Sequence, residues 1–301
     1  MNFRYFLELV GLAALWGASF LFMRIAVPEF GPIWLSAIRV LIAGLVLLPI
    51  LIYQGFLADL RKTIFPVLLL GGINSALPFL GFAFATTFLT GGFTSILNAT
   101  APLFGVLLVI ISGNIKTLSR AQMVGFLVGF LGVAILIGLR PMQITTHFWL
   151  AVAAGLSGAL LYAISANFIK LKLTGVPSMV IAAGSQISAS LWLLPLLPFK
   201  VPAAFPSLKA ILALFALALF STALAYLIYF RLIRLVGATR SLTVTYLIPA
   251  FAMLWGALIL HEPVTGGMVF GCGVILLGTA LANGLFNKAS FVKAQNGLTA
   301  K

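Results

Sequence analysis

One passage of this chain is written twice. Residues 98–132 read NATAPLFGVLLVIISGNIKTLSRAQMVGFLVGFLG, and residues 245–279 read TYLIPAFAMLWGALILHEPVTGGMVFGCGVILLGT. Pro102 matches Pro249 at an offset of 147, while Gly125 and Gly132 match Gly271 and Gly278 at an offset of 146. Each copy reads as an apolar helix interrupted by proline, a polar corner, and a second apolar helix studded with glycine. Self-similarity at a long fixed period marks a duplicated structure. The repetition reaches back to the first helix. At an offset of 146, Trp16 matches Tyr162, Ser19 matches Ser165, Arg24 matches Lys170 and Pro49 matches Pro195.

The medium follows from composition. Of 301 residues, 62% are hydrophobic and 7% charged. A water-soluble domain carries roughly 25% charged residues, so this chain belongs in a bilayer. Charge-poor stretches of about 20 residues are long enough to cross it. They predict helices at 5–26, 32–53, two between 63 and 115 with a break at Thr90-Gly91-Gly92, one between Arg120 and Arg140, then 147–170, 177–198, 209–235, 238–260 and 266–286. The expected fold is an all-α polytopic membrane protein. Its ten transmembrane helices form two inverted five-helix repeats, 1–142 and 143–287, with a polar tail at 288–301.

Ten spans put both ends on one side, and lysine and arginine choose the side. Thirteen of them fall at the termini and even-numbered loops, among them Arg4, Arg61, Lys62, Lys116 and Arg231, against four (Arg24, Arg140, Lys200, Lys209) on the opposite side. Both termini are therefore expected in the cytoplasm, with the chain in the cell (inner) membrane. This accounts for the net charge of +14 without a nucleic-acid partner. Five spans per repeat is an odd number, so the second repeat lies upside down, a construction that carriers use with a site between halves near the midplane. The first apolar run lacks a small-residue cleavage site, so no cleavable signal peptide is expected. Cys272 is the single cysteine, which excludes an intramolecular disulfide.

Trp16-Gly17-Ala18-Ser19-Phe20 with Arg24, then Pro32 and Arg39, then Pro249 with His261-Glu262-Pro263 and Gly271 and Gly278, carry a resemblance. In that order, and repeated, they resemble the drug/metabolite transporter superfamily, specifically its ten-helix, two-repeat (EamA-like) exporters. The resemblance covers nearly the whole chain. It implies export of small metabolites such as amino acids, with the aromatic amino-acid branch and related drugs as the expected substrates and a multidrug or organic-cation exporter as the alternative. The four-helix multidrug relatives carry a membrane-embedded glutamate in helix 1, whereas this chain has Trp16 near that place.

Polar groups inside the membrane are costly and mark function. Thr94, Asn98 and Pro102 share a helix face at spacings of four, and their repeat partners are Ser241, Thr245 and Pro249. Asn74, Ser75, Phe79 and Phe82 match Ser221, Thr222, Tyr226 and Tyr229. Helix-to-helix hydrogen bonding explains any one of these, but their recurrence at mid-depth on six helices points to a lined central cavity. Trp16, Ser19, Asn74, Phe79, Phe82, Asn98, Tyr162, Ser165, Tyr226, Thr245 and Tyr246 are the expected substrate-binding residues, with Pro102 and Pro249 as hinges. Arg39 is expected to pair with backbone carbonyls or Glu29, nearer the outer face than the midplane. Its repeat partner reads as Ser185. Glu8 and Arg24 are expected to snorkel at helix ends, and Trp34, Trp149 and Trp192 to form an interfacial belt near outer helix ends.

An intramembrane enzyme needs a nucleophile with a base, or a metal constellation. The two histidines, His147 and His261, and the four acids offer neither, and His261-Glu262 lacks metal-ligand spacing. The reading is a carrier and not an enzyme, without metal or cofactor. Its partners are a small-molecule substrate and the lipid bilayer, and a monomer suffices.

Overall fold

The computed structural model describes residues 3–113, 118–139, 145–237 and 241–283. Lys116, Arg140, Arg240 and the expected tail lie outside the described residues. Among those residues every element is helical. We number them α1 Phe3–Tyr53, α2 Leu57–Lys62, α3 Ile64–Phe88, α4 Gly91–Asn98, α5 Ala101–Ile111, α6 Arg120–Gly138, α7 Thr146–Lys172, α8 Ser178–Leu193, α9 Leu208–Val236, α10 Val244–Leu260 and α11 Gly266–Ala282. Among the described residues, seven helices are long and apolar enough to cross a membrane, with α4 and α5 taken together and a 3₁₀ turn, Leu194–Phe199, extending α8. The apolar helices α10 and α11 have 17 residues each. The expected count of ten treats α1 as two spans and includes α10 and α11.

At 1.5 Å per residue, the 51 residues of α1 would extend about 75 Å, more than twice the ~30 Å bilayer core. The chain bends instead at Gly31, whose φ of 69° is open to glycine and closed to most side chains. Pro28 and Pro32 flank the bend and weaken the helix on either side. The stretch at 54–63, expected as plain loop, holds the short helix α2.

Two helices widen at corresponding points. In α3, Gly72–Ala76 forms a π turn, and in α9, Leu219–Leu224 does the same. The offset of 147 superposes Gly72 on Leu219. Pro78 follows the first π turn, and it cannot donate back to the preceding turn. The second has no proline. There the Thr222 hydroxyl bonds the Leu217 carbonyl, 2.8 Å away.

The chain divides into two compact units, 1–98 with 143–264 and 99–142 with 265–301. The larger holds α1, α3, α4, α7, α8, α9 and α10, around a core that includes Phe20, Met23, Leu35, Phe82, Leu214 and Ile248. The smaller holds α5, α6 and α11. The covalent boundary at Asn98–Ala99 coincides with a break in the helix, and Pro102 stands in the first turn of the new helix α5. This corrects the expectation of one apolar helix interrupted by Pro102. Pro249, by contrast, is inside α10, five residues past its start.

In the smaller unit, the repeat mates α6 and α11 pack glycine to backbone. A Cβ on Gly125 would lie 2.5 Å from Ala282 N, one on Gly132 2.7 Å from Ile275 N, one on Gly271 3.1 Å from Leu136 Cα and one on Gly267 2.6 Å from Leu139 O. Rising numbers on α6 meet falling numbers on α11, so the two helices are antiparallel. Copies of one helix that run antiparallel belong to repeats inverted relative to each other. Small residues let such backbones approach. A Cβ on Gly278 would meet Gly129 Cα at 2.4 Å, whereas Gly273 has open space. Gly278→Ala should therefore cost about 1–3 kcal/mol by overpacking, read as a lower thermal midpoint in detergent. Gly273→Ala should raise the midpoint slightly, because it removes about 0.5–1 kcal/mol of glycine's penalty in a helix. Equal midpoints for the two variants would show that close approach does not require the glycine.

Candidate functional site

Arg39 is the one arginine within the described residues that is buried, at 5% exposure. It leaves the second arm of α1 and reaches Ser19 and Thr222, each near the middle of its own span. Its Nε donates to Thr222 Oγ1 at 2.9 Å and its Nη2 to Ser19 Oγ at 3.3 Å. The guanidinium carbon stands 3.7 Å from the centre of the Phe79 ring, a cation–π contact. Among the described residues no carboxylate pairs with it. Glu29, its expected partner, instead accepts from the backbone N–H and hydroxyl of Ser207, which caps α9. The expectation that Arg39 sits nearer the outer face is also corrected, because the long side chain carries its charge to mid-helix.

A second network mirrors the first. Gln186 Nε2 on α8 donates to Ser75 Oγ in the α3 π turn at 2.9 Å, and Tyr226 faces Gln186, Ser75 and Asn74. The offset of 147 carries Arg39 to Gln186, Thr222 back to Ser75, and Phe79 to Tyr226. The counterpart of Arg39 by contact is therefore Gln186 and not Ser185, whose hydroxyl bonds the Ala182 carbonyl of its own helix. Ser165 donates to Asn74 Oδ1 at 3.0 Å. The two networks are neighbours, since Tyr162 and Tyr226 lie within electrostatic reach of Arg39.

The rings follow the same rule. Trp16 packs on Tyr229 with centroids 5.1 Å apart, and their repeat mates Tyr162 and Phe82 pack at 5.7 Å. The structure thus brings together Trp16, Ser19, Asn74, Phe79, Phe82, Tyr162, Ser165 and Tyr226 in one polar and aromatic layer. Asn98 has a buried amide oxygen without a partner among the described residues. The Thr245 hydroxyl bonds the Leu242 carbonyl at 2.8 Å. Thr245 and Tyr246 lie on the first turn of α10. An open groove of about 870 Å³ lies elsewhere, lined by residues such as Phe30, Leu80, Phe84, Leu161 and Val201, and none of the expected site residues borders it.

Sequence reasoning underweighted Arg39 and missed Gln186 and the two π turns. One signal was available. Shifting the alignment offset from 146 to 147 before residue 39 would have paired Arg39 with Gln186.

A third polar cluster closes the far end of α1's first arm. Arg24 Nε donates to Glu262 Oε1 at 2.7 Å, and its Nη1 to the Thr86 carbonyl at 2.7 Å. Glu262 Oε2 accepts from Gly91 N at 2.9 Å, at the N-terminus of α4, where the helix dipole favours an anion. The left-handed conformation of His261, φ 53°, ends α10 and turns the chain so that Glu262 N bonds the Gly256 carbonyl at 3.0 Å. Arg24 therefore ties four elements together instead of snorkelling. Glu8, at the other end, pairs with Arg4 and Arg231. Trp34 and Trp192 donate to the carbonyls of Leu197 and Leu68.

This arrangement defines a class. Apolar helices in antiparallel repeats, with a duplicated polar layer at mid-height, make a multi-pass membrane transporter. The comparisons agree. The EamA-like transporter family matches at residues 5–138 and again at 149–284, and the chain belongs to that family. Relatives include the uncharacterized inner membrane transporter YedA of Escherichia coli K12, 28% identical and covering 93% of this chain and 92% of its own. The uncharacterized transporter YoaV of Bacillus subtilis 168 is 22% identical, covering 94% and 97%. A solved crystal structure shares the fold with a TM-score of 0.64 at 21% identity, covering 92% of this chain and 96% of its own.

The Arg24–Glu262 pair is partly shielded, with side-chain exposures of 30% and 9%. Its loss should cost about 1–2 kcal/mol after solvent screening, which biases a two-state closure by about tenfold. Arg24→Gln or Glu262→Gln, in a Cys272→Ser background with Phe82→Cys, should accelerate thiol labelling from the side of residues 28–34 by about that factor. Unchanged labelling in both variants would show that this cluster does not hold that end closed.

Proposed function

We infer that the protein is a carrier that exports small metabolites, amino acids foremost and aromatic ones among them, by alternating access between its two inverted repeats. The observation that carries this reading is the doubled layer, in which the contacts of Arg39 with Thr222 and Phe79 and of Trp16 with Tyr229 recur as Gln186 with Ser75 and Tyr226 and Tyr162 with Phe82. Two near-equivalent halves supply two near-equivalent open states. The rings offer flat apolar walls, and the hydroxyls and amides can fix orientation. In this reading all ten apolar segments span the inner membrane, and both termini are cytoplasmic by the lysine and arginine distribution. The family and relatives are transporters, which supports a non-enzymatic role.

Pro102 and Pro249 act as hinges in this cycle. Pro102 stands beside the break where the two compact units join covalently, and Pro249 lacks the donor that a regular helix uses. Purified protein in proteoliposomes should exchange labelled phenylalanine, tyrosine or leucine in counterflow. Absence of flux for a full amino-acid panel, with flux of aromatic cations, would transfer the reading to organic-cation export. Pro102→Ala and Pro249→Ala should each lower the exchange rate about three- to tenfold while binding stays intact. Wild-type rates in both would reduce the prolines to packing.

A further inference from the structure

We propose that Arg39 and Gln186 are the two ends of one zwitterion seat, with Arg39 taking the substrate's carboxylate and Gln186 accepting from its ammonium. The proposal rests on the carrier reading and adds the chemical class of the cargo. A guanidinium in an apolar interior needs compensation. Here it finds two hydroxyls and a ring face, all uncharged. Its fork has more N–H donors than those two bonds use, and a carboxylate is the planar group that fits them.

The mirrored position holds the complement. Gln186 Nε2 is engaged by Ser75, but its Oε1 is buried without a partner among the described residues. A buried acceptor in that state is costly and calls for a donor. The repeat duplicated the contacts but not the side chains, leaving a cation at one mate and a neutral acceptor at the other. Tyr226 is within hydrogen-bonding reach of Gln186 and within electrostatic reach of Arg39, which places both groups in one layer. The chain's four acids do not serve this layer. Glu8, Glu29 and Glu262 are held by Arg231, Ser207 and Arg24, and Asp59 lies on α2. A purely cationic substrate would meet a buried positive charge with no carboxylate to offset it.

Three compounds sharing one ring test the seat: phenylalanine, phenylpropionate with the carboxylate only, and phenethylamine with the ammonium only. Binding to purified full-length protein and flux in proteoliposomes are measured for each. Wild type should prefer phenylalanine, then phenylpropionate, with phenethylamine weakest. Arg39→Gln should weaken the two carboxylates by about 30-fold or more and phenethylamine by less than about threefold, since the lost contact is charge-assisted. Gln186→Glu, which keeps the shape, should reverse the order by favouring phenethylamine over phenylpropionate, and it decides the matter if Arg39→Gln does not fold. Flux of phenethylamine in preference to both carboxylates, or variants that keep the wild-type order, would leave a carrier but overturn the seat. Absence of flux and binding for all three compounds and for the amino-acid panel would overturn the carrier reading and the seat together.

Discussion

A charge inside an apolar chain has to be satisfied by the chain itself, and Arg39 is where this protein meets that demand. The guanidinium is drawn to mid-helix, where the π turn of α9 presents Thr222, the first arm of α1 presents Ser19, and α3 presents the face of Phe79. Each of those groups is neutral. They hold the cation without cancelling it, so the middle of the larger unit remains positively charged. The widened turns in α3 and α9 matter here because they displace the backbone where the hydroxyls of Ser75 and Thr222 are needed. π turns inside helices recur at functional positions.

Duplication supplies geometry and substitution supplies asymmetry. Arg39 with Thr222 and Phe79 repeats as Gln186 with Ser75 and Tyr226, and Trp16 with Tyr229 repeats as Tyr162 with Phe82. The backbone positions that make these contacts are shared. The charge is not. A symmetric scaffold suits a cycle whose two open states are similar in energy, while an asymmetric pair of side chains suits a cargo with two different ends.

The closures at the periphery are of different physical kinds. At the far end of α1's first arm, Arg24, Glu262 and the N-terminus of α4 are joined by charge-assisted hydrogen bonds. Such a joint can be broken and remade as a unit. Within the smaller unit, α6 and α11 are joined by bare backbone contact through Gly125, Gly129, Gly132 and Gly278. That joint gains dispersion over a long antiparallel seam and tolerates no added carbon, so it suits a rigid element.

The sequence by itself determined the medium, the duplication and the family resemblance. These depend on composition, hydrophobic length and order along the chain, and all are properties of one dimension. It also placed most of the polar and aromatic layer, since Ser19, Asn74, Tyr162 and Tyr226 recur at matching depths. The tertiary structure alone decided the partners. That Arg39 leaves Glu29 to Ser207 and reaches Thr222 instead depends on a residue 183 positions away. That Arg24 closes on Glu262 depends on one 238 positions away. The break before Pro102 and the π turn in α9, which has no proline to announce it, arise from packing and hydrogen bonding between helices. In an apolar medium polar side chains seek each other across the fold, and local pattern carries no record of which one each will find.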